Sequence, residues 1–136
     1  QSFNDIFKSY SPFLHKIDRS WIQKNDIKKA YNFEYASRKK NLELIISSHL
    51  SKRWPSWMKK AIDYNIVPNA APIFEQKSHK QLEKINKIIM NRFKIVSQIY
   101  HFDWNGSFIE PNYKKCILLP IHYEVKKIRE IINFFK

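Results

Sequence analysis

Residues 78–100, SHKQLEKINKIIMNRFKIVSQIY, decide how the whole chain is read. Ser78 with Gln81 three positions on is a capping box, in which each side chain satisfies a backbone amide that the first helical turn leaves unpaired. Behind it Leu82, Ile85, Ile89, Phe93, Val96 and Tyr100 recur at steps of three and four, the spacing that lines one side of a helix. The pattern predicts a continuous helix from Ser78 to shortly before Gly106. That glycine, the only one in the chain, is placed for a left-handed cap or turn.

The same punctuation recurs on both sides. Ser11 and Pro12 supply an N-cap and a first-turn proline for a helix with Phe13, Leu14, Ile17 and Trp21 on one face, ending near Gln23. Asp26 caps a longer segment in which Ile27, Ala30, Tyr31, Leu42, Ile45 and Ile46 share a stripe, with a break expected near Asn41. Trp54-Pro55 stops that segment and starts a short helix faced by Trp57, Met58, Ala61 and Ile62. Residues 65–74, NIVPNAAPIF, hold two prolines and no period, so they read as an extended linker. Residues 113–119 read as a short strand or an extended buried run, between which periodicity does not decide. Pro120 then opens a terminal helix with Ile121, Val125, Ile128, Ile132 and Phe135 inward.

The expected fold is therefore all-α: a single compact domain over residues 1–136, built as a bundle of five or six helices with one extended Pro-containing linker and room for a short strand near 113–119. At 136 residues and 43% hydrophobic, such a bundle buries a core without a disulfide or a metal. Cys116 is the only cysteine and lies in the apolar run CILLP, where it reads as a small buried hydrophobe. No stretch approaches the roughly 18–20 apolar residues of a membrane-spanning helix, so an integral membrane protein is not expected. The chain begins at Gln1, which reads as a soluble processed chain or an excised domain.

Charge carries the functional signal. Lys and Arg number 25 against 12 Asp and Glu, a formal net charge of +13, which excludes a calcium-binding module. A single glycine excludes glycine-rich phosphate loops and hairpin-rich barrels. Abundant Lys, Ile and Asn are what AT-rich coding produces, but the same bias favours Asp and Glu, so the shortage of acids needs another cause. A small domain this basic repels itself, and a polyanion relieves the repulsion. Nucleic acid is the first candidate, with an anionic membrane surface or an acidic protein partner behind it. The excess concentrates in two segments: between Arg38 and Lys60 the only acid is Glu43, and between Lys77 and His101 the only acid is Glu83.

Within those segments two constellations stand out. Lys80, Lys84, Lys87 and Lys94 fall at steps of four, three and seven, opposite the apolar stripe, and make a line about 21 Å long at 1.5 Å per residue. Such a line tracks a phosphate backbone, although any amphipathic helix also needs a solvated face. In KRWPSWMKK, residues 52–60, Lys52, Arg53, Lys59 and Lys60 bracket Trp54 and Trp57. Trp57, in register with Ala61, belongs to the core, whereas Trp54 at a helix boundary is the candidate to stack a nucleic-acid base. The same mixture suits a membrane interface.

Catalytic signals are sparse. No two of the five histidines stand four apart and no HExxH occurs, so no metal site and no cofactor are expected. There is no GxSxG elbow, and the glutamates are scattered. His101 with Asp103 in YHFDW is the one enzyme-like group, since a carboxylate two residues on can orient an imidazole as general base. The leading expectation is a domain that binds nucleic acid, single-stranded or structured RNA, with Lys80, Lys84, Lys87, Lys94, Lys52 and Arg53 on phosphates and Trp54 on a base. One competing reading is a small metal-independent nuclease of toxin type using His101 and Asp103. The other is a secreted or translocated interaction protein docking on an anionic membrane or an acidic partner.

Overall fold

A computed structural model of the chain describes residues 24–107 and 109–136. The helix expected at residues 11–23 lies outside them. The first helix of the described residues, α1 (Lys24–Ile46), runs unbroken through Asn41. The Asn41 side-chain amide serves a tertiary purpose: it donates to the carbonyls of Ile121 at 3.1 Å, His122 at 3.3 Å and Val125 at 3.2 Å, tying α1 to a turn eighty residues further on. From Phe33 onward the chain forms one compact unit, and the packing below belongs to it. A short 3₁₀ turn (His49–Arg53) follows, capped by the Ser48 hydroxyl, and Pro55 then stands as N-cap of α2 (Ser56–Asp63).

The remainder overturns the all-α expectation. After β1 (Ala70–Ile73) come α3 (His79–Phe93), β2 (Gln98–Asp103), β3 (Tyr113–Pro120) and α4 (Ile128–Phe134), so the fold is mixed α/β. The sheet has the order β1-β3-β2 with both pairings antiparallel, running from Ala70 opposite Pro120 to Ile73 opposite Ile117, and from Gln98 opposite Leu118 to Asp103 opposite Tyr113. Because β1 and β2 both oppose β3, they run parallel to each other with β3 between them and α3 as the connection, a split β-α-β unit.

The capping box of α3 is present, with Ser78 and Gln81 bonded reciprocally. The predicted helix nevertheless stops seven residues short of Tyr100. Lys94 turns left-handed, at φ 56° and ψ 41°, and its amide closes on the Met90 carbonyl. The next residues, Ile95 and Val96, are β-branched and resist helical χ1 restriction, which favours extended chain. The reversal is held from inside: the Ser97 hydroxyl donates to Asn86 Oδ1 at 2.7 Å while Asn86 Nδ2 donates to the Ser97 carbonyl at 3.3 Å. Val96 and Tyr100 only happened to fall at helical spacing from Phe93, and are 82% and 50% exposed.

The linker expected at 65–74 contributes β1, where Pro72 is tolerated because β1 is an edge strand with one side free of ladder bonds. Pro120 ends β3 rather than starting a helix, and α4 begins at Ile128. The central strand explains the CILLP run: Cys116, Ile117 and Leu119 are all fully buried, on both faces of β3. They meet Ile73, Leu82, Ile89, Ile121, Ile128 and Ile131 in one core. Burial pushes the Cys116 thiol up to about 12, leaving it inert at neutral pH.

Two stability changes follow from this geometry. A left-handed lysine costs on the order of 1 kcal/mol that glycine does not incur, so Lys94→Gly should raise the urea midpoint by an amount worth about 1 kcal/mol; an unchanged or lower midpoint would remove the strain argument. Asn41→Leu leaves three carbonyls without their donor and should lower stability by about 1–3 kcal/mol in the same titration.

Candidate nucleic-acid interface

The loop between β2 and β3 organises one end of the sheet. Asp103 Oδ1 accepts from the amides of Asn112 at 2.9 Å and Asn105 at 3.1 Å, and Oδ2 from Ser107 at 2.8 Å. These bonds, the Asn112 amide foremost, hold the Asp103 carboxyl below the ordinary carboxylate range against a partial desolvation that pushes the other way. Gly106 takes the left-handed conformation expected of it, at φ 61°, but in this loop rather than at a helix end. The tryptophan beneath it tolerates no side chain there: a Cβ would stand 2.8 Å from Trp57 Cε2.

Trp57 is therefore clamped between loop and sheet. Its indole donates to the Trp104 carbonyl at 2.9 Å, and its ring lies parallel to Phe102 with centroids 5.9 Å apart. Phe74, just past β1, meets Phe102 and Trp104 edge-on at 5.6 and 4.9 Å. Lys114 stands opposite Phe102 in the β2–β3 register, on the same side of the sheet, and its ammonium sits 3.7 Å from the centre of the Trp104 ring. A cation over an indole face is attracted by the ring quadrupole.

Beside this aromatic block runs a groove. One part, about 670 Å³, is bordered by the 3₁₀ turn, the β1–α3 turn and the C-terminal residues; the other, about 550 Å³, continues past Trp104 to β3. Both include Arg53, Phe74, Glu75 and Lys77, which makes them continuous. Lys52, Arg53, Lys77, Lys114, Lys115 and Lys136 line it, with Phe74, Trp104, Phe134 and Phe135 as its apolar surface. Among the described residues Glu75 is the one acid along it, and Arg53 neutralises it at 3.4 Å while donating to the Phe74 carbonyl at 3.0 Å. Positive charge in a concave, partly apolar surface focuses the field outward onto an anion.

The residues singled out from sequence divide around this groove. Lys52 and Arg53 line it. Trp54 does not: it is 5% exposed and its indole nitrogen donates to the Pro72 carbonyl at 2.8 Å, so its ring has no open face for a base. Trp57, expected in the core, is the more exposed of the two at 37%. Lys80, Lys84 and Lys87 are exposed on the outer side of α3. Ile85 lines the groove, and at about 100° per residue Lys84 lies past the helix shoulder with Lys80 and Lys87 further round. Lys94 lies at the other end of α3, beside Arg92, Lys126 and Lys127.

His101 is exposed on β2, opposite Lys115 rather than near a helix end. Asp103, on the same face of the strand, has both carboxylate oxygens engaged by loop amides, which is the work of a loop organiser. Among the described residues no group of three or more His, Cys, Asp or Glu is placed to hold a metal ion. Sequence reasoning missed Lys77, Lys114, Lys115, Lys136 and Trp104. Only the Lys114-Lys115 pair, directly before an apolar run, carried any local signal.

The lowered Asp103 carboxyl has a pH signature. Its hold on the loop is complete above the unfolded carboxylate value of about 3.9 and is lost as pH falls through the lower folded value. The amide resonances of Asn105, Ser107 and Asn112 should shift together with a midpoint below about 3.9; a higher midpoint would show that these bonds do not form.

No protein-family model, curated protein or solved structure matches this chain.

Proposed function

We propose that the unit from Phe33 onward binds nucleic acid, single-stranded or structured RNA, with the backbone in the groove between the 3₁₀ turn and β3. The observation that carries this reading is the charge balance along the groove among the described residues: six cations, of which Arg53 pairs with the single acid, Glu75, and five remain. Lysines placed on phosphates release condensed counterions, and that release drives binding of a polyanion.

The aromatic surface argues for unpaired bases. Bases stack on exposed rings for about 1–3 kcal/mol each, and a regular duplex keeps them out of reach. Half-buried Trp104 takes the stacking role in place of Trp54, its ring opened to a base as the Lys114 ammonium that lies over it moves onto the neighbouring phosphate. Concavity favours a strand over a membrane: interfacial segments lie flat with an apolar side in the lipid, whereas these cations border a recess. Among the described residues no helix is long and apolar enough to cross a membrane.

Fluorescence anisotropy with a labelled uridine 16-mer tests the reading. Lys52→Glu with Lys115→Glu should weaken binding at least tenfold and flatten the slope of log affinity against log salt by about 1.4, two phosphates at about 0.7 each. Lys28→Glu with Lys29→Glu makes the same charge change on the exposed first turns of α1 and should cost little. Equal losses in the two variants would reject the groove.

A further inference from the structure

Beyond the first groove lies a second concentration of cations. It surrounds the turn between β3 and α4, whose carbonyls Asn41 clamps. Two adjoining recesses of about 510 and 280 Å³ share Val125, Lys126 and Lys127. Lys40 from α1, Arg92 and Lys94 from the end of α3, and Lys126, Lys127 and Arg129 around the turn supply their charge. Of the acids there, Glu130 is 3.8 Å from Lys127, and Glu124 accepts from the Tyr123 hydroxyl at 3.2 Å. Neither acid reaches Lys40, Arg92, Lys94, Lys126 or Arg129 within ion-pair distance among the described residues. Six cations have thus been gathered from three separate stretches of chain.

α3 joins the two places. It leaves the first groove at Lys77, just before its Ser78 cap, and ends in the second at Lys94. Its fifteen residues span about 22 Å, and Lys80, Lys84 and Lys87 run exposed along the outer side between those ends. The left-handed turn at Lys94 directs the chain away there and leaves that lysine as the last member of the line. We propose that the second groove is a continuation of the first, reached over the α3 lysines, so that the ligand is one long single strand and not a nucleotide or short oligomer. The inference rests on the nucleic-acid reading above. At the stacked spacing of about 3.4 Å per nucleotide, crossing α3 takes about six or seven nucleotides. Filling both grooves takes more. The gain comes from effective concentration: a strand held in one groove meets the other as an intramolecular event.

Anisotropy with uridine oligomers of four and sixteen nucleotides separates the possibilities. For the wild-type protein the 16-mer should bind more than about thirteenfold tighter than the 4-mer, thirteen being the number of registers a single four-nucleotide site finds on it. Lys126→Glu with Arg129→Glu should weaken the 16-mer at least tenfold and leave the 4-mer within twofold. Lys126→Gln with Arg129→Gln should show the same length dependence at smaller size, with an unchanged melting temperature confirming the fold. A gain of thirteenfold or less, an unaffected 16-mer, or equal losses at both lengths would overturn the continuous track while leaving the first groove intact. Absence of binding at both lengths in the wild-type protein would overturn the nucleic-acid reading itself, and the track with it.

Discussion

The chain reversal after α3 is the constraint on which the rest of this fold depends. Asn86 and Ser97 hold each other by two hydrogen bonds across a left-handed lysine, and so convert what reads as one long helix into a helix followed by a strand. Without that turn β2 has no partner and β3 no second neighbour. With it, β3 becomes the buried centre of a three-stranded sheet, and the β2–β3 loop delivers Trp104, Lys114 and Lys115 to one edge of the groove. Two polar side chains thereby hold the turn about which the apolar core packs.

Local chemistry was legible in the sequence and long-range pairing was not. The capping box at Ser78, the start of α2 at Pro55, the buried thiol of Cys116 and the positive φ of Gly106 all follow from a residue and its near neighbours. The sheet depends on partners that are distant in sequence: Ala70 opposite Pro120, Gln98 opposite Leu118. No local period distinguishes an isolated edge strand of four residues containing proline from a linker. The stripe through Val96 and Tyr100 misled for a specific reason, since steps of three and four continue by accident across a helix end that lacks glycine. The better local clue was the β-branched pair Ile95-Val96 directly after Lys94.

The basic residues tell a similar story. Only part of each charged segment of the sequence lines the first groove. Lys52 and Arg53 meet Lys77 in the groove, while Lys80, Lys84 and Lys87 stand outside it and Lys94 belongs to the opposite end of α3. The groove draws instead on β3 and the C-terminal residue, positions no periodicity links to it. Trp54 and Trp57 reverse the burial their neighbours suggest, because the 3₁₀ turn sends Trp54 inward to Pro72 whereas Trp57 lies between the Phe102 ring and the backbone at Gly106 and stays partly exposed.

Crowding so many ammonium groups into two recesses makes ionic strength act on this protein in opposite directions. In the free protein, screening relieves the repulsion among Lys52, Lys77, Lys114, Lys115 and Lys136 that the fold holds together, so added salt favours the folded state. If the groove holds a polyanion as proposed, added salt weakens that hold at the same time. A polyanion at low ionic strength and simple salt at high ionic strength are thus two substitutes for the same missing counter-charge.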